Sequence, residues 1–210
     1  MDKFKNMLNT VEKYYSDKIE SFGATAKGVD WNSHESQVLR FEQLLKIVPS
    51  TKDFFTINDY GCGYGYLYQF MKSKGLNFEY TGYDLSESMI NKAIELYGDN
   101  HDCNFYVGKQ GTLKYDYSIA SGIFNVKFDN QADTWLEYIL DTLSELNEKS
   151  EKGFSFNCLT SYSDSEYMRQ DLYYADPCFL FDYCKRNFSK NVALLHDYRL
   201  YEFTLLVRKV

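Results

Sequence analysis

The sequence is short of several things at once. It has two prolines, Pro49 and Pro177, and no Gly/Ser-rich linker or internal repeat breaks its 210 residues. That excludes a string of modules or a solenoid and leaves room for one sizeable core. Its five cysteines, at 62, 103, 158, 178 and 184, are odd in number, loosely spaced and without a CxxC pair. Neither a disulfide framework nor a metal site is suggested, and buried reduced thiols are expected. No apolar run approaches the ~20 residues that span a bilayer. The opening stretch MDKFKNMLNTVEKYY lacks the apolar centre of a secretory leader, so a cytoplasmic location is expected. Basic blocks are missing too. Lys plus Arg number 23 against 30 for Asp plus Glu, a net charge of −7, which disfavours nucleic acid and anionic membrane as partners.

Aromatic residues are what the chain has in excess: 20 Tyr, 16 Phe and 2 Trp make 18% of it. One small core does not need so many, so part of this surface is expected to line a pocket, where tyrosine offers an apolar ring with a polar tip.

Hydrophobic spacing predicts a helix over 3–20 (Phe4, Met7, Leu8, Val11, Tyr14, Tyr15, Ile19), a glycine-containing loop, and a second helix over 33–48 capped by Ser33. From residue 54 strands alternate with helices. Strands are predicted over 54–60, 77–84, 103–108, 116–124 and 153–159, and helices over 66–74, 86–97, 131–148 and 177–188. Two closing strands, 191–196 and 200–209, are joined by so short a link around Asp197–Arg199 that they must be antiparallel. The expected fold is α/β: a Rossmann-like, seven-stranded, mostly parallel sheet with its last strand reversed and helices on both faces. Residues 1–53 would form an N-terminal helical arm and 54–210 the main domain, together one structural unit.

The strongest motif is Ile57-Asn58-Asp59-Tyr60-Gly61-Cys62-Gly63-Tyr64-Gly65, which ends a strand and opens a helix. Glycines there let the main chain turn and a ligand approach it, and the helix start adds free N–H groups. Asp84 ends the next strand, where a carboxylate can accept hydrogen bonds from both hydroxyls of a ribose. Dinucleotide sites favour G-x-G-x-x-G; here the glycines are 61, 63 and 65, and Asp59 precedes them. A carboxylate at 59 would repel a pyrophosphate but hold an ammonium group, which favours a ligand with a cationic amino-acid tail.

DYGCGYG followed by GYD resembles the first motif and the following acidic position of the class I S-adenosylmethionine-dependent methyltransferases. The likeness spans roughly residues 54–210. It implies that Asp59 and the turn Gly61-Cys62-Gly63 hold the methionine end of S-adenosylmethionine, that Asp84 holds the ribose, and that Leu85 and Met89 lie near the adenosine. The family often has an acid after its third strand; here Val107-Gly108-Lys109-Gln110 has none, so Gln110 or main-chain groups are left to meet the adenine. The implied activity is methyl transfer to an oxygen or nitrogen of a small polar molecule. The alternatives are a nicotinamide-dependent oxidoreductase, disfavoured by Asp59 and the glycine spacing, and a non-catalytic S-adenosylmethionine-binding module.

Ligands of such sheets lie at the carboxyl ends of the strands, so Ser121 to Asn125 are expected to flank the transferred methyl. The sequence there, Ser121-Gly122-Ile123-Phe124-Asn125, lacks the Asp/Asn-Pro-Pro-aromatic pattern of base-modifying methyltransferases, which argues again for a small molecule. Residues 160–176 follow the fifth strand on the same side and are expected to form a substrate lid. Tyr173, Tyr174 and Asp176 are its candidate contacts, with stacked rings and a carboxylate suited to a sugar or an amine. His196 ends the sixth strand and is the candidate general base. Trp31, in the polar stretch between the first two helices, and Arg40, which follows it in the second, are expected to close over the cofactor, with Arg40 pairing with the methionine carboxylate.

Overall fold

The structure, a computed structural model, describes residues 3–49, 53–109 and 111–209. Eight strands form one sheet: β1 Phe55–Tyr60, β2 Phe78–Asp84, β3 Cys103–Val107, β4 Tyr115–Ala120, β5 Ser150–Thr160, β6 Tyr174–Ala175, β7 Asn191–Leu195 and β8 Glu202–Arg208. Their order is β3-β2-β1-β4-β5-β8-β7, with the two-residue β6 beside the end of β5. All pairings are parallel except those of β8, which runs antiparallel between β5 and β7. The chain works outward from β1 to β3 and then returns to β4 on the other side of β1. The crevice at the carboxyl ends of β1 and β4 is therefore the topological switch point, the place where sheets of this kind bind ligands.

Six helices cover the two faces: α1 Lys5–Phe22, α2 His34–Leu44, α3 Tyr66–Ser73, α4 Glu87–Tyr97, α5 Ala132–Lys149 and α6 Pro177–Asn187. Period-two alternation in the strands feeds two cores. On β8, Phe203, Leu205 and Val207 join Trp135, Ile139, Leu143 and Leu180 of α5 and α6. Leu206 faces the other way, into Phe41, Leu44, Leu67, Met71 and Ile90 of α2, α3 and α4. The N-terminal arm shares both layers: Phe4, Met7 and Leu8 enter the first core and Phe41 and Leu44 the second. Ser33 caps α2 as expected, accepting from the Ser36 amide at 3.1 Å. Among the described residues no helix is long and apolar enough to cross a membrane.

The departures from the sequence reading lie near the crevice. The fourth strand was expected to reach 124 but stops at Ala120. Gly122 turns the chain away at φ +75°, and its amide donates to Asn157 Oδ1 at 2.8 Å. The indole of Trp135 then donates to the Phe124 carbonyl at 2.8 Å and fixes the loop leading into α5. Segment 160–176 is not a free lid. It is tied down by β6, by a bridge between Val126 and Leu172, and by the Tyr173 amide, which donates to the Asn125 carbonyl at 2.8 Å.

Candidate active site

The crevice above β1 and β4 holds a cleft built from the glycine turn. Gly61, Gly63 and Gly65 all adopt positive φ. At Gly61 (φ +78°) a Cβ would stand 2.3 Å from Ile123 Cγ2, so both conformation and space demand glycine. The Gly61 and Cys62 amides donate to the Tyr83 carbonyl, and the Gly63 amide to Asp84 Oδ2 at 2.9 Å. The Ser86 amide donates to Asp84 Oδ1, also at 2.9 Å. Asp84 is thus held by main chain from both sides and lines the cleft. Burial raises its carboxyl above the ordinary range, and these amide donors work against that shift.

Asp59 is 2% exposed and lines the same cleft. The Tyr80 hydroxyl donates to its Oδ2 at 2.6 Å. Burial dominates, however, and the carboxyl is pushed up to about 7. A cationic group brought beside it would reverse that shift.

Leu85, Met89, Ser121 and Trp31 also line the cleft. Gln110 lies outside the described residues. Others were not anticipated: Val11, Glu12 and Tyr15 of α1, Gln37 of α2, Tyr64 and Tyr66 after the glycine turn, and Tyr138 of α5. Val11 and Tyr15 had been read as part of the apolar face of α1. That face is wider than its core contact, and its edge roofs the cleft. Gln37 was one polar residue in a polar stretch, and only the path of α2 turns it inward.

A second cavity, of about 780 Å³, adjoins the first and falls within the ~300–1,000 Å³ usual for small-molecule sites. The two share Tyr15, Val29, Trp31 and Gly122. Their common wall is locked by a ring of contacts. From the Gly122–Asn157 bond, Asn157 Nδ2 donates to Glu202 Oε2 at 2.6 Å. Glu202 accepts two bonds from Arg40, from Nε at 2.8 Å and from Nη2 at 2.5 Å. The Arg40 guanidinium lies 4.0 Å from the Trp31 ring centre. Trp31 returns to Gly122, where a Cβ would stand 2.3 Å from its Cη2.

This ring corrects the role expected of Arg40. Its guanidinium is a fork on a buried carboxylate of β8, lines only the second cavity, and is committed to Glu202 before any ligand arrives. His196 is corrected as well: it is exposed, packs against Tyr162 and Phe203, and lines neither cavity. Asp176 caps α6, accepting from the Cys178 and Phe179 amides, and also lines neither cavity. Tyr173 packs against the first core. Tyr174 and Asn125 do line the second cavity. The Asn125 Oδ1 is already used by the Leu159 amide at 3.1 Å, and the Tyr174 hydroxyl accepts from the Arg169 amide at 3.0 Å.

The cleft suits a nucleoside with a charged amino-acid tail on grounds internal to the chain. Two buried polar atoms in its wall, Gln37 Oε1 and Ser121 Oγ, have no partner, and such atoms are costly unless a ligand or water meets them. Asp59 and Asp84 add carboxylates for cationic and hydroxyl donors. Comparison with known proteins agrees. A family model described as a methyltransferase domain matches residues 57–149. A Mycobacterium tuberculosis protein named "Putative methyltransferase Rv1506c" is 51% identical over 162 residues, covering 77% of this chain and 98% of that protein. The magnesium protoporphyrin IX methyltransferase of Synechocystis PCC 6803, solved with S-adenosylhomocysteine, superposes with a TM-score of 0.65 at 14% identity, covering 96% of this chain and 99% of that one. Human N-acetylserotonin methyltransferase superposes with a TM-score of 0.59 at 13% identity, over all of this chain and 68% of that one. The chain belongs to the class I S-adenosylmethionine-dependent methyltransferases, and S-adenosylmethionine is its cofactor.

Proposed function

We propose that the enzyme methylates an oxygen or nitrogen of a small polar molecule held in the second cavity. The observation that carries this reading is the wall shared by the two cavities at Tyr15, Trp31 and Gly122. A ligand in the cleft and an acceptor in the second cavity would meet there. The acidic surface of the chain supports a small acceptor over a nucleic acid.

In this reading Asp59 binds the ammonium of S-adenosylmethionine, Asp84 the ribose hydroxyls, and Leu85 and Met89 flank the adenosine. Bound there, S-adenosylmethionine supplies an activated methyl group on a sulfonium. The chain's own part is then orientation and exclusion of water. Trp31 and Gly122 fix the passage between the cavities, α1 roofs it with Tyr15, and the Arg40–Glu202–Asn157 chain keeps both in register. None of the three histidines lines either cavity, so the structure offers no imidazole to take a proton from the acceptor. An acceptor that is nucleophilic without losing a proton fits best.

The test is release of S-adenosylhomocysteine from S-adenosylmethionine with a panel of small hydroxy acids, amines and glycosides, with RNA and DNA as the other arm. Turnover on a small molecule is expected, and loss of that turnover in Trp31→Ala. Turnover on nucleic acid alone would overturn the reading.

A further inference from the structure

The second cavity is walled by three arginines, Arg40, Arg169 and Arg199, in a chain whose net charge is −7. Its two carboxylates are already consumed. Asp30 accepts from the Tyr14 hydroxyl at 2.8 Å and from Lys18 Nζ at 2.6 Å. Glu202, 1% exposed, accepts from Arg40 twice and from Asn157 once. Arg169 pairs with Asp171.

What remains is one unpaired cation, Arg199, and one unmet donor on the paired Arg40. Arg40 is 7% exposed, yet its Nη1 is buried with no partner. An unmet donor on a buried guanidinium is costly, and it is the atom not engaged by Glu202. Arg199 makes no ion pair or side-chain hydrogen bond among the described residues. It stands in the β7–β8 turn at φ +52°, a left-handed conformation that is strained for a residue with a Cβ. Only three described non-glycine residues have positive φ, and two of them, Asp30 and Arg199, line this cavity. Strain of this kind persists where the surroundings hold a residue for use.

We infer that the acceptor carries an anionic oxygen group, a carboxylate or a phosphate, held between Arg40 Nη1 and Arg199, with Trp31, Tyr174 and Tyr201 covering its body. Guanidinium donors match such groups in geometry and charge. The unpaired charge facing this cavity is therefore cationic, the opposite of the carboxylate that the lid sequence suggested for a sugar or an amine. This inference rests on the proposed acceptor site and narrows it to one class.

Three fluorine-labelled probes test it by ¹⁹F NMR on protein saturated with S-adenosylhomocysteine: 4-fluorobenzoate, 4-fluorophenyl phosphate and the neutral 4-fluorobenzamide. At least one anion is expected to bind about tenfold or more tightly than the amide, as charge-assisted hydrogen bonds require, and the better anion names the group. Arg199→Gln should lower anion affinity about tenfold and Arg199→Lys less, while calorimetry shows S-adenosylhomocysteine binding unchanged in both. If the amide binds as well as the anions, the anionic class is overturned while the small-acceptor reading stands. If neither anion binds the loaded protein, or if Arg199→Gln leaves anion binding intact, the inference is overturned.

Discussion

Asp59→Asn separates the cost of a buried carboxylate from its use. In the folded protein burial lifts this carboxyl from the ordinary 3.8 to about 7. At about 1.36 kcal/mol per pKa step, the ionised form is disfavoured by folding by as much as ~4 kcal/mol. The sign follows from proton binding. Between pH 4 and 7 the folded state holds a proton that the unfolded state has lost, so Asp59 makes stability fall as pH rises through that window and has no further effect above it. Asparagine keeps an acceptor for the Tyr80 hydroxyl and removes the charge. The variant should therefore match or exceed the parent at pH 6 and be clearly more stable at pH 8, with the ~4 kcal/mol above as its ceiling. Cofactor binding should move the other way. If the ammonium needs an ionised Asp59, affinity for S-adenosylmethionine should weaken about tenfold from pH 8 to pH 6. In the variant it should be weaker by roughly 1.5–3 kcal/mol and lose that pH dependence. Urea denaturation and calorimetry at the two pH values measure both. A variant less stable than the parent at pH 8, or one that binds with undiminished affinity and the same pH slope, would refute the reasoning.

Three further outcomes follow from the geometry. Gly61→Ala must place a Cβ 2.3 Å from Ile123 at φ +78°, whereas Gly75→Ala, at φ +69°, meets open space. The second should cost only ~1 kcal/mol and spare cofactor binding, while the first should cost more and abolish it; equal effects in urea melts and calorimetry would contradict the packing argument. Glu202→Gln leaves the Arg40 charge buried without its counter-ion and should destabilise the protein by roughly 3–5 kcal/mol, read from chemical denaturation; a change within ~0.5 kcal/mol, as for an ordinary surface substitution, would show that the pair does not hold the wall. His196→Ala should keep its turnover on the accepted substrate, rather than show the ~10²–10⁴-fold loss of a removed general base.

The sheet and the cofactor turn could be read from the sequence because each rests on a local pattern. Alternating strands and 3.6-residue helical faces placed every long element, and the Gly61–Gly65 run with Asp84 marked the switch point before any coordinate. The early end of β4 was hidden because Ser121–Phe124 is as apolar as a strand; only the Asn157 side chain, on β5, draws the Gly122 amide away. Arg40 and Glu202 lie 162 positions apart, so neither spacing nor periodicity could pair them. Asp176 resembles a substrate carboxylate in sequence, but with Pro177 following it the residue caps the start of α6. His196 was placed by strand direction alone, which locates the strand end but not the way the side chain leaves it. The second cavity draws on α1, the arm loop, the β4 turn and the β7–β8 turn, and such an assembly exists only once the chain has folded.

Two cavities meet at Trp31 and Gly122, and the proposed function makes one the cofactor's and the other the acceptor's. A crystal structure of the enzyme with S-adenosylhomocysteine tests it most directly. The ribose hydroxyls are expected on Asp84, the ammonium within hydrogen-bond distance of Asp59, and the sulfur facing Gly122 and the second cavity. A sulfur directed away from that passage, or an ammonium remote from Asp59, would contradict it.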